Sequence, residues 1–260
     1  MSRNFELMQK AGDSFGMAIA PDVPPVANGS NGSNGANGNG VHESYKPMVP
    51  LMAGHVGHEE SVRLVQRIFL TANAPRIVMF AGIDPGNGCT QICSRTAEIL
   101  ASNTTGNVCI VDANLRTPAV PEYFGVTNHF GLSDSLRQQG SIRNFAKKLR
   151  PDNLWLLTCG SLSGDTAILI NSDVMRSRIA ELRSEFDYVL IDSPPLNTYA
   201  DAAAIGKLAD GLVLIIEANA TRREAASRVV QNLRASSVNV LGAVLNKRTF
   251  PIPESLYRIL

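Results

Sequence analysis

A glycine-rich loop at residues 82–90 is the part of the sequence with residue types and spacing suited to chemistry. An apolar run, Ile77–Ala81, precedes it and a helical pattern begins at Thr90, so the context predicts a strand, a turn and a helix. Glycines in such a turn bring backbone N–H groups onto phosphate oxygens at the helix N-terminus, and the hydroxyl that follows binds Mg²⁺. The loop positions predicted to form the nucleotide-binding site are Gly86, Asn87, Gly88, Cys89 and Thr90.

One residue of this loop lacks the expected chemistry. Where phosphate-binding loops carry a lysine that contacts the β- and γ-phosphates, this chain has Cys89. A thiol neither reaches nor neutralises the phosphates, and losing a hydrogen bond to a charged group costs roughly 1.5–3 kcal/mol. The sequence therefore predicts that ATP or ADP binds weakly or not at all, with Thr90 still available for Mg²⁺.

Two aspartates come directly after predicted strands. Asp112 follows Val108–Val111, and Asp192 follows Tyr188–Ile191. Ligands of open parallel sheets bind beyond the carboxyl ends of the strands, so we expect both carboxylates beside the glycine-rich loop. An aspartate at a strand end also commonly caps a turn. The coincidence of two aspartates with the glycine turn favours a site.

Short apolar runs rich in β-branched residues alternate with helical stretches from residue 59 onward. This alternation predicts an α/β fold with a doubly wound, mostly parallel sheet whose strands are buried on both faces. The predicted strands are Ile77–Ala81, Val108–Val111, Leu154–Leu157, Tyr188–Ile191, Leu212–Ile216 and Val240–Leu245. The predicted helices between them include Ser172–Ser184, Ala200–Leu208 and Arg222–Ser236.

The composition divides the chain into four parts: a short segment at 1–20, a linker at 21–58, the α/β domain at 59–249 and a tail at 250–260. The linker is rich in Asn and Gly, so it is expected to be a disordered coil. Phe5–Ala11 has a short helical apolar face. Alone it is too short to be stable, which suggests that it frays or docks on a partner.

The remaining composition excludes several classes of protein. A formal net charge of +1 gives no electrostatic case for a nucleic-acid partner. No signal peptide or long apolar run is present, and the four cysteines lack paired spacing, so we expect reduced thiols in a cytoplasmic protein. Cys89 and Cys93 could share a helix face, but nothing nearby completes a metal site. His55 and His58 are interpreted as part of a solvated helix start.

Five further motifs occur in order along the α/β region: Val111–Pro118, Gly131–Leu136, Phe186–Pro195, Ala209–Leu214 and Leu241–Asn246. Together with the glycine-rich loop they resemble the CpsD/CapB family of bacterial tyrosine kinases, which act in capsular and exopolysaccharide assembly. The similarity covers residues 59–249, and the family lies within the wider MinD/ParA-like group of P-loop ATPases.

The resemblance implies roles for individual residues. Asp112 corresponds to the base or a metal-side acid, Asp192 to a water-mediated Mg²⁺ ligand, and Asn246 to an adenine contact. It also implies a membrane-embedded chain-length regulator as partner, and hence a place at the inner face of the cell membrane.

Three departures from the family bear on function, besides Cys89. Asn114 stands where the family has a second aspartate, and the tail has one tyrosine, Tyr257, where the family has a tyrosine-rich cluster. The family's oligomerisation motif is only partly matched by Glu60, Arg63 and Arg67, so a homo-oligomer is possible. Three functions follow: a pseudokinase regulator or scaffold, an active ATP-dependent kinase, or a positioning ATPase of the MinD/ParA type.

Overall fold

The structure is a computed structural model that describes residues 18–21, 55–161, 169–199 and 201–248. The expected apolar segment Phe5–Ala11, most of the predicted linker and the tail with Tyr257 lie outside these residues. In the described part of the chain, no helix is long and apolar enough to cross a membrane.

Strands and helices alternate along the chain. The strands are β1 (Ala18–Pro21), β2 (Ile77–Gly82), β3 (Val108–Asp112), β4 (Lys147–Lys148), β5 (Leu154–Leu157), β6 (Tyr188–Asp192), β7 (Gly211–Glu217) and β8 (Val240–Arg248). The α-helices are α1 (His55–Phe69), α2 (Cys89–Asn103), α3 (Val120–Tyr123), α4 (Leu132–Ser135), α5 (Asp173–Glu185), α6 (Asp201–Gly206) and α7 (Arg223–Ala235), and a 3₁₀ helix spans Ile142–Phe145.

The strands form one sheet in the order β1-β8-β7-β2-β6-β3-β5-β4. All neighbouring pairs are parallel except β4–β5, which is antiparallel at the edge. The chain reverses direction across the sheet at β2, so the loop after β2 lies at the point where ligands of doubly wound sheets bind.

Apolar side chains cover both faces of the sheet. On β2, Val78 and Phe80 pack towards α1 and α2, whereas Ile77 and Met79 pack towards α5, α6 and α7. All six residues of β2 are buried, because a central parallel strand has helices on either side. This double burial is the reason that the strands appear in the sequence as continuous apolar runs.

The predicted doubly wound sheet is confirmed, with differences at its edges. Strand β4 was not predicted. Helix α1 begins at His55, which agrees with the interpretation of His55 and His58 as a helix start but lies within the range 21–58 assigned to the linker. The segment 1–20 was predicted to lie outside the α/β domain, but β1, which begins at Ala18, pairs with β8. Four residues carry too little periodicity to predict a strand, and the open edge of β8 offers unpaired backbone groups that such a segment can satisfy.

Candidate functional site

The glycine-rich loop joins β2 to α2 and has a conformation that only glycine adopts readily. Gly86 and Gly88 have φ angles of 87° and 81°, in the left-handed region. Gly88 is also the N-cap residue of α2. The first backbone N–H groups of α2 are free of intrahelical partners, and with the helix dipole they favour an anion at this end.

Two asparagines from outside the loop hold it in place. Asn246, near the end of β8, donates from Nδ2 to the carbonyl oxygen of Asn87 at 2.7 Å. Asn197, after β6, donates to Asp84 Oδ1 at 2.9 Å, and its backbone N–H donates to the carbonyl oxygen of Ile83 at 3.0 Å. Asn87 and Asn246 are both buried. The loop is therefore fixed by buried amides before any ligand binds.

The two loop glycines form a matched pair for a stability test. A Cβ atom on Gly88 would lie 2.3 Å from Nδ2 of Asn246, whereas a Cβ atom on Gly86 would meet nothing within 4 Å. Both alanine variants place alanine in the left-handed region, which costs about 1–2 kcal/mol. Only Gly88→Ala also displaces Asn246. We expect Gly88→Ala to lower the free energy of unfolding by at least about 1 kcal/mol more than Gly86→Ala, measured by urea denaturation; equal losses would contradict the contact.

The predicted carboxylates lie side by side beneath this loop. Asp112 and Asp192 are paired residues on the adjacent strands β3 and β6, and both are fully buried. Thr90 Oγ1 donates to Asp192 Oδ2 at 2.6 Å. The backbone N–H groups of Asn114 and Val120 donate to the two oxygens of Asp112 at 3.1 and 3.2 Å. Loop, hydroxyl and carboxylates thus come together as the sequence predicted.

Burial makes both carboxylates weaker acids. Burial raises the pKa of Asp192 to about 6, although hydrogen bonds from Thr90 and Cys89 act in the opposite direction. Burial also raises the pKa of Asp112, with a further contribution from the charge of Asp192, while hydrogen bonds from backbone N–H groups partly offset both. A cation beside the pair would stabilise the ionised forms that burial disfavours.

Cys89 does not supply that cation. Burial raises the pKa of its thiol well above the usual value, and the neighbouring Asp192 and Cys93 raise it further. Cys93, one turn along α2, is fully buried, and burial likewise raises its pKa. Both thiols stay protonated at neutral pH, so Cys89 acts as a neutral hydrogen-bond donor to Asp192. Among the described residues, no group of three or more His, Cys, Asp or Glu side chains could hold a metal ion.

The residues present nevertheless fit a hydrated Mg²⁺ ion that arrives with a nucleotide. Oδ1 of Asp192 is buried and has no hydrogen-bond partner, which is unusual for a buried carboxylate oxygen. Oδ2 of Asp192 accepts a hydrogen bond from Thr90, whose hydroxyl is expected to bind the metal. Hydroxyl, carboxylate and water oxygens are ligands that Mg²⁺ prefers. Thr90 and Asp192 would hold the ion.

Arg116, the arginine of the motif Val111–Pro118, already forms an ion pair. Arg116 donates from Nε and Nη2 to Asp201 Oδ2 at 3.1 and 3.0 Å, and its guanidinium carbon lies 4.6 Å from the ring centroid of Tyr199. Asn114 is also committed, because Nδ2 donates to Thr117 Oγ1 at 3.1 Å and its Oδ1 accepts from the Thr117 backbone at 3.2 Å. Arg116 is thus no simple substitute for the missing lysine.

The structure brings most of the predicted site residues together and gives two of them a further role. Asn246, expected to contact adenine, uses its amide to hold the loop, and Asn87 forms the other half of that contact. Arg116 and Asp201 are far apart in the sequence, so no local sequence pattern predicted their ion pair. At the predicted oligomerisation motif, Arg63 Nη1 lies 2.8 Å from Glu60 Oε1 within α1.

Fold and site define a P-loop ATPase-type protein, and comparisons with known proteins assign its family. Tyrosine-protein kinase YwqD of Bacillus subtilis strain 168 is 31% identical over 169 residues, covering 65% of this chain and 71% of that protein. The putative tyrosine-protein kinase CapB of Staphylococcus aureus is 30% identical over 167 residues, covering 64% and 73%. No family model matches the chain.

Solved structures give the same result. The kinase domain of the Escherichia coli tyrosine kinase ETK superposes with a TM-score of 0.69 and 25% identity, covering 75% of this chain and 78% of that one. MinD complexed with Mg-ADP from Pyrococcus horikoshii OT3 has a TM-score of 0.56 at 19% identity, covering 71% and 77%, which shows a shared fold alone. The chain belongs to the family of bacterial tyrosine kinases that includes YwqD and CapB.

Proposed function

We propose that the chain is a pseudokinase that serves as a regulator or scaffold in capsular or exopolysaccharide synthesis and export. The observation that carries the proposal is Cys89, a neutral thiol at the position of the phosphate-binding lysine. Bound ATP would bring the negative charges of its phosphates close to the buried Asp112 and Asp192. Without the lysine, only Mg²⁺ and backbone N–H groups would balance these charges.

The remaining parts of the site support nucleotide binding more than phosphoryl transfer. The N–H groups of the loop and of α2 would orient the phosphates, and Thr90 and Asp192 would hold Mg²⁺, which supplies charge neutralisation when bound. Transfer requires extra stabilisation of the charge that develops on the γ-phosphoryl group, a role that lysine or arginine side chains usually share with the metal. Arg116 is paired with Asp201, and Asn114 cannot act as a carboxylate base.

The purified chain is expected to show no tyrosine autophosphorylation with Mg-ATP, measured by anti-phosphotyrosine blotting and mass spectrometry. An active relative such as YwqD, assayed in parallel, gives the positive control. Phosphotyrosine that depends on Mg-ATP and disappears in Asp192→Ala would show an active kinase and overturn the pseudokinase proposal.

The second candidate function is an active ATP-dependent kinase with an unusual loop. It is favoured by the hydrogen bond between Thr90 and Asp192, because both residues expected to hold Mg²⁺ are present and adjacent. The autophosphorylation assay separates the two candidates directly. A MinD-type positioning ATPase is supported by the fold alone.

We further propose that the chain works at the cytoplasmic face of a membrane, docked on a membrane-embedded chain-length regulator and able to form homo-oligomers. Phe5–Ala11 is the proposed anchor, because its apolar residues recur at helical spacing. The expected Asn/Gly-rich linker would let this segment bind while the α/β domain docks separately.

Removing residues 1–17 is expected to release the protein from membranes without lowering its melting temperature. The deletion must stop before Ala18, because β1 belongs to the sheet. Cell fractionation measures the release, and Phe5→Ser in the intact chain is the matched point variant. If both variants pellet with membranes as fully as the parent, the N-terminal anchor is refuted.

A further inference from the structure

A cavity of about 330 Å³ opens between the second half of α1 and the sheet. Residues near the amino ends of β7 and β8 form its floor, and Leu64 and Ile68 of α1 form its wall. The glycine-rich loop lies at the opposite ends of the strands, after β2. The cavity is therefore a separate feature, and what it binds does not depend on the proposed function of the chain.

The sequence of β8 explains why a cavity forms here. Gly242 is paired with Val213 of β7 and has no side chain, and the next residue, Ala243, contributes only a methyl group. Val213 and Val244, by contrast, pack into the core that α1 and α2 share with the sheet. Protein interiors are otherwise packed to about the density of organic crystals, so a cavity of this size beside buried residues is a candidate site for a small ligand.

The lining is mostly apolar and carries one charge. The apolar side chains in it are those of Leu64, Ile68, Val213, Leu241 and Val244. Arg67, Thr71 and Asn73 also line the cavity, and all three are exposed at the end of α1 or just after it. Among the described residues of the lining, Arg67 is the only one with a formal charge. The cavity is thus apolar inside, with a cation where it meets the solvent.

This combination fits a molecule with one alkyl chain and one negative charge. Small-ligand cavities span about 300–1,000 Å³, so this cavity has room for a single chain. A guanidinium group has five N–H donors and can bind a carboxylate through two parallel hydrogen bonds. A phosphate monoester would bring about 1.5 to 2 negative charges to this one cation, whereas a carboxylate brings one.

We propose that the cavity binds a fatty acid. Its alkyl chain lies between the wall formed by α1 and the floor formed by β7 and β8, and Arg67 holds its carboxylate. The hydroxyl of Thr71 and the amide of Asn73 lie on the same polar side of the cavity. Leu70, between Ile68 and Thr71 in the chain, is 45% exposed and would add apolar contact where the ligand enters.

Isothermal titration calorimetry with sodium laurate, kept below the concentration at which it forms micelles, tests the proposal on the full chain. We expect saturable binding of one laurate per chain. Arg67→Gln should weaken this binding about tenfold, because it removes hydrogen bonds between two charged groups. Dodecanol has the same chain without the charge, so it should bind equally to the parent and to Arg67→Gln. Arg63→Gln is the matched control, because Arg63 lies one turn earlier on α1, pairs with Glu60 and is outside the lining.

Variants that fill the cavity locate the binding site. Gly242→Val adds a side chain to the floor, and Ile68→Trp enlarges a half-buried side chain of the wall. Each should lower the affinity for laurate at least about tenfold, and melting temperatures show which variants are folded. Valine is favoured in strands, and Ile68→Trp decides the matter if Gly242→Val disturbs the sheet. If the folded variants bind laurate as tightly as the parent does, laurate binds elsewhere and the proposal fails.

Other occupants of the cavity predict different results. Tighter binding of dodecyl phosphate than of laurate would overturn the assignment to a carboxylate. Laurate binding that appears only after residues 1–17 are deleted would show that the chain's own N-terminal segment fills the cavity. A parent that binds no laurate and sediments as a dimer, which Gly242→Val dissociates, would show that a second copy fills it. Each of these results, like a complete absence of laurate binding, would overturn the proposal.

Discussion

Replacing Cys89 with lysine is expected to tighten ATP binding by about tenfold or more, because each hydrogen bond to a charged group contributes roughly 1.5–3 kcal/mol and 1.4 kcal/mol is a factor of ten. The rest of the loop is already in place: the glycines have the required φ angles, and Asn246 holds the backbone. A lysine ammonium would also lie beside Asp192, where it would offset the negative charge of the carboxylate pair. Isothermal titration calorimetry with Mg-ATP measures the change.

Cys89→Met is the matched control for this substitution. Methionine has a long, flexible side chain like that of lysine but carries no charge, so it separates electrostatics from the filling of space. The methionine variant should bind ATP no more tightly than the parent. If lysine also brings no gain over methionine, the loop is closed to nucleotide for reasons other than its missing cation, and the proposal of a weakened but intact pocket fails.

Asp192→Asn is expected to stabilise the nucleotide-free protein at neutral pH. Burial raises the pKa of Asp192 from its usual value of 3.8 to about 6, so the folded state binds a proton more tightly than the unfolded state does. The unfavourable free energy of the buried charge is fully present above about pH 6 and disappears as the pH falls towards the unfolded pKa. The gain at pH 7.5 should be on the order of 3 kcal/mol, since the pKa rises by about two units and one pKa unit corresponds to about 1.4 kcal/mol.

The sign of the pH dependence provides the sharper test. In the parent, titration of Asp192 should lower the free energy of unfolding as the pH rises from about 4 to about 6. Asp192→Asn should lack this decrease. Urea denaturation in metal-free buffer across this range measures the difference. Asp152→Asn, at a side chain that is 92% exposed, is the matched control and should change little. A variant less stable than the parent at pH 7.5, with an unchanged pH profile, would contradict the predicted electrostatic cost.

The sequence by itself determined the fold class and the place of the site. Central parallel strands are buried on both faces, so β2, β3 and β6 appear as continuous apolar runs that can be recognised without any knowledge of their neighbours. Carboxyl ends of parallel strands meet at one edge, so Asp112 and Asp192 could be placed beside the glycine-rich loop in advance. The replacement of lysine by Cys89 is likewise visible in the sequence alone.

Only the tertiary structure decided what these residues do to one another. Burial raises the pKa of Asp192, and hydrogen bonds from Thr90 and Cys89 partly offset that rise. The register that places Asp192 beside Asp112 helps to raise the pKa of Asp112. Asn246 reaches Asn87 because β8 lies beside β7 and the loop follows β2, an arrangement that no local pattern encodes. Strand β1 was missed for the same reason: a four-residue segment becomes a strand when another strand offers it an unpaired edge.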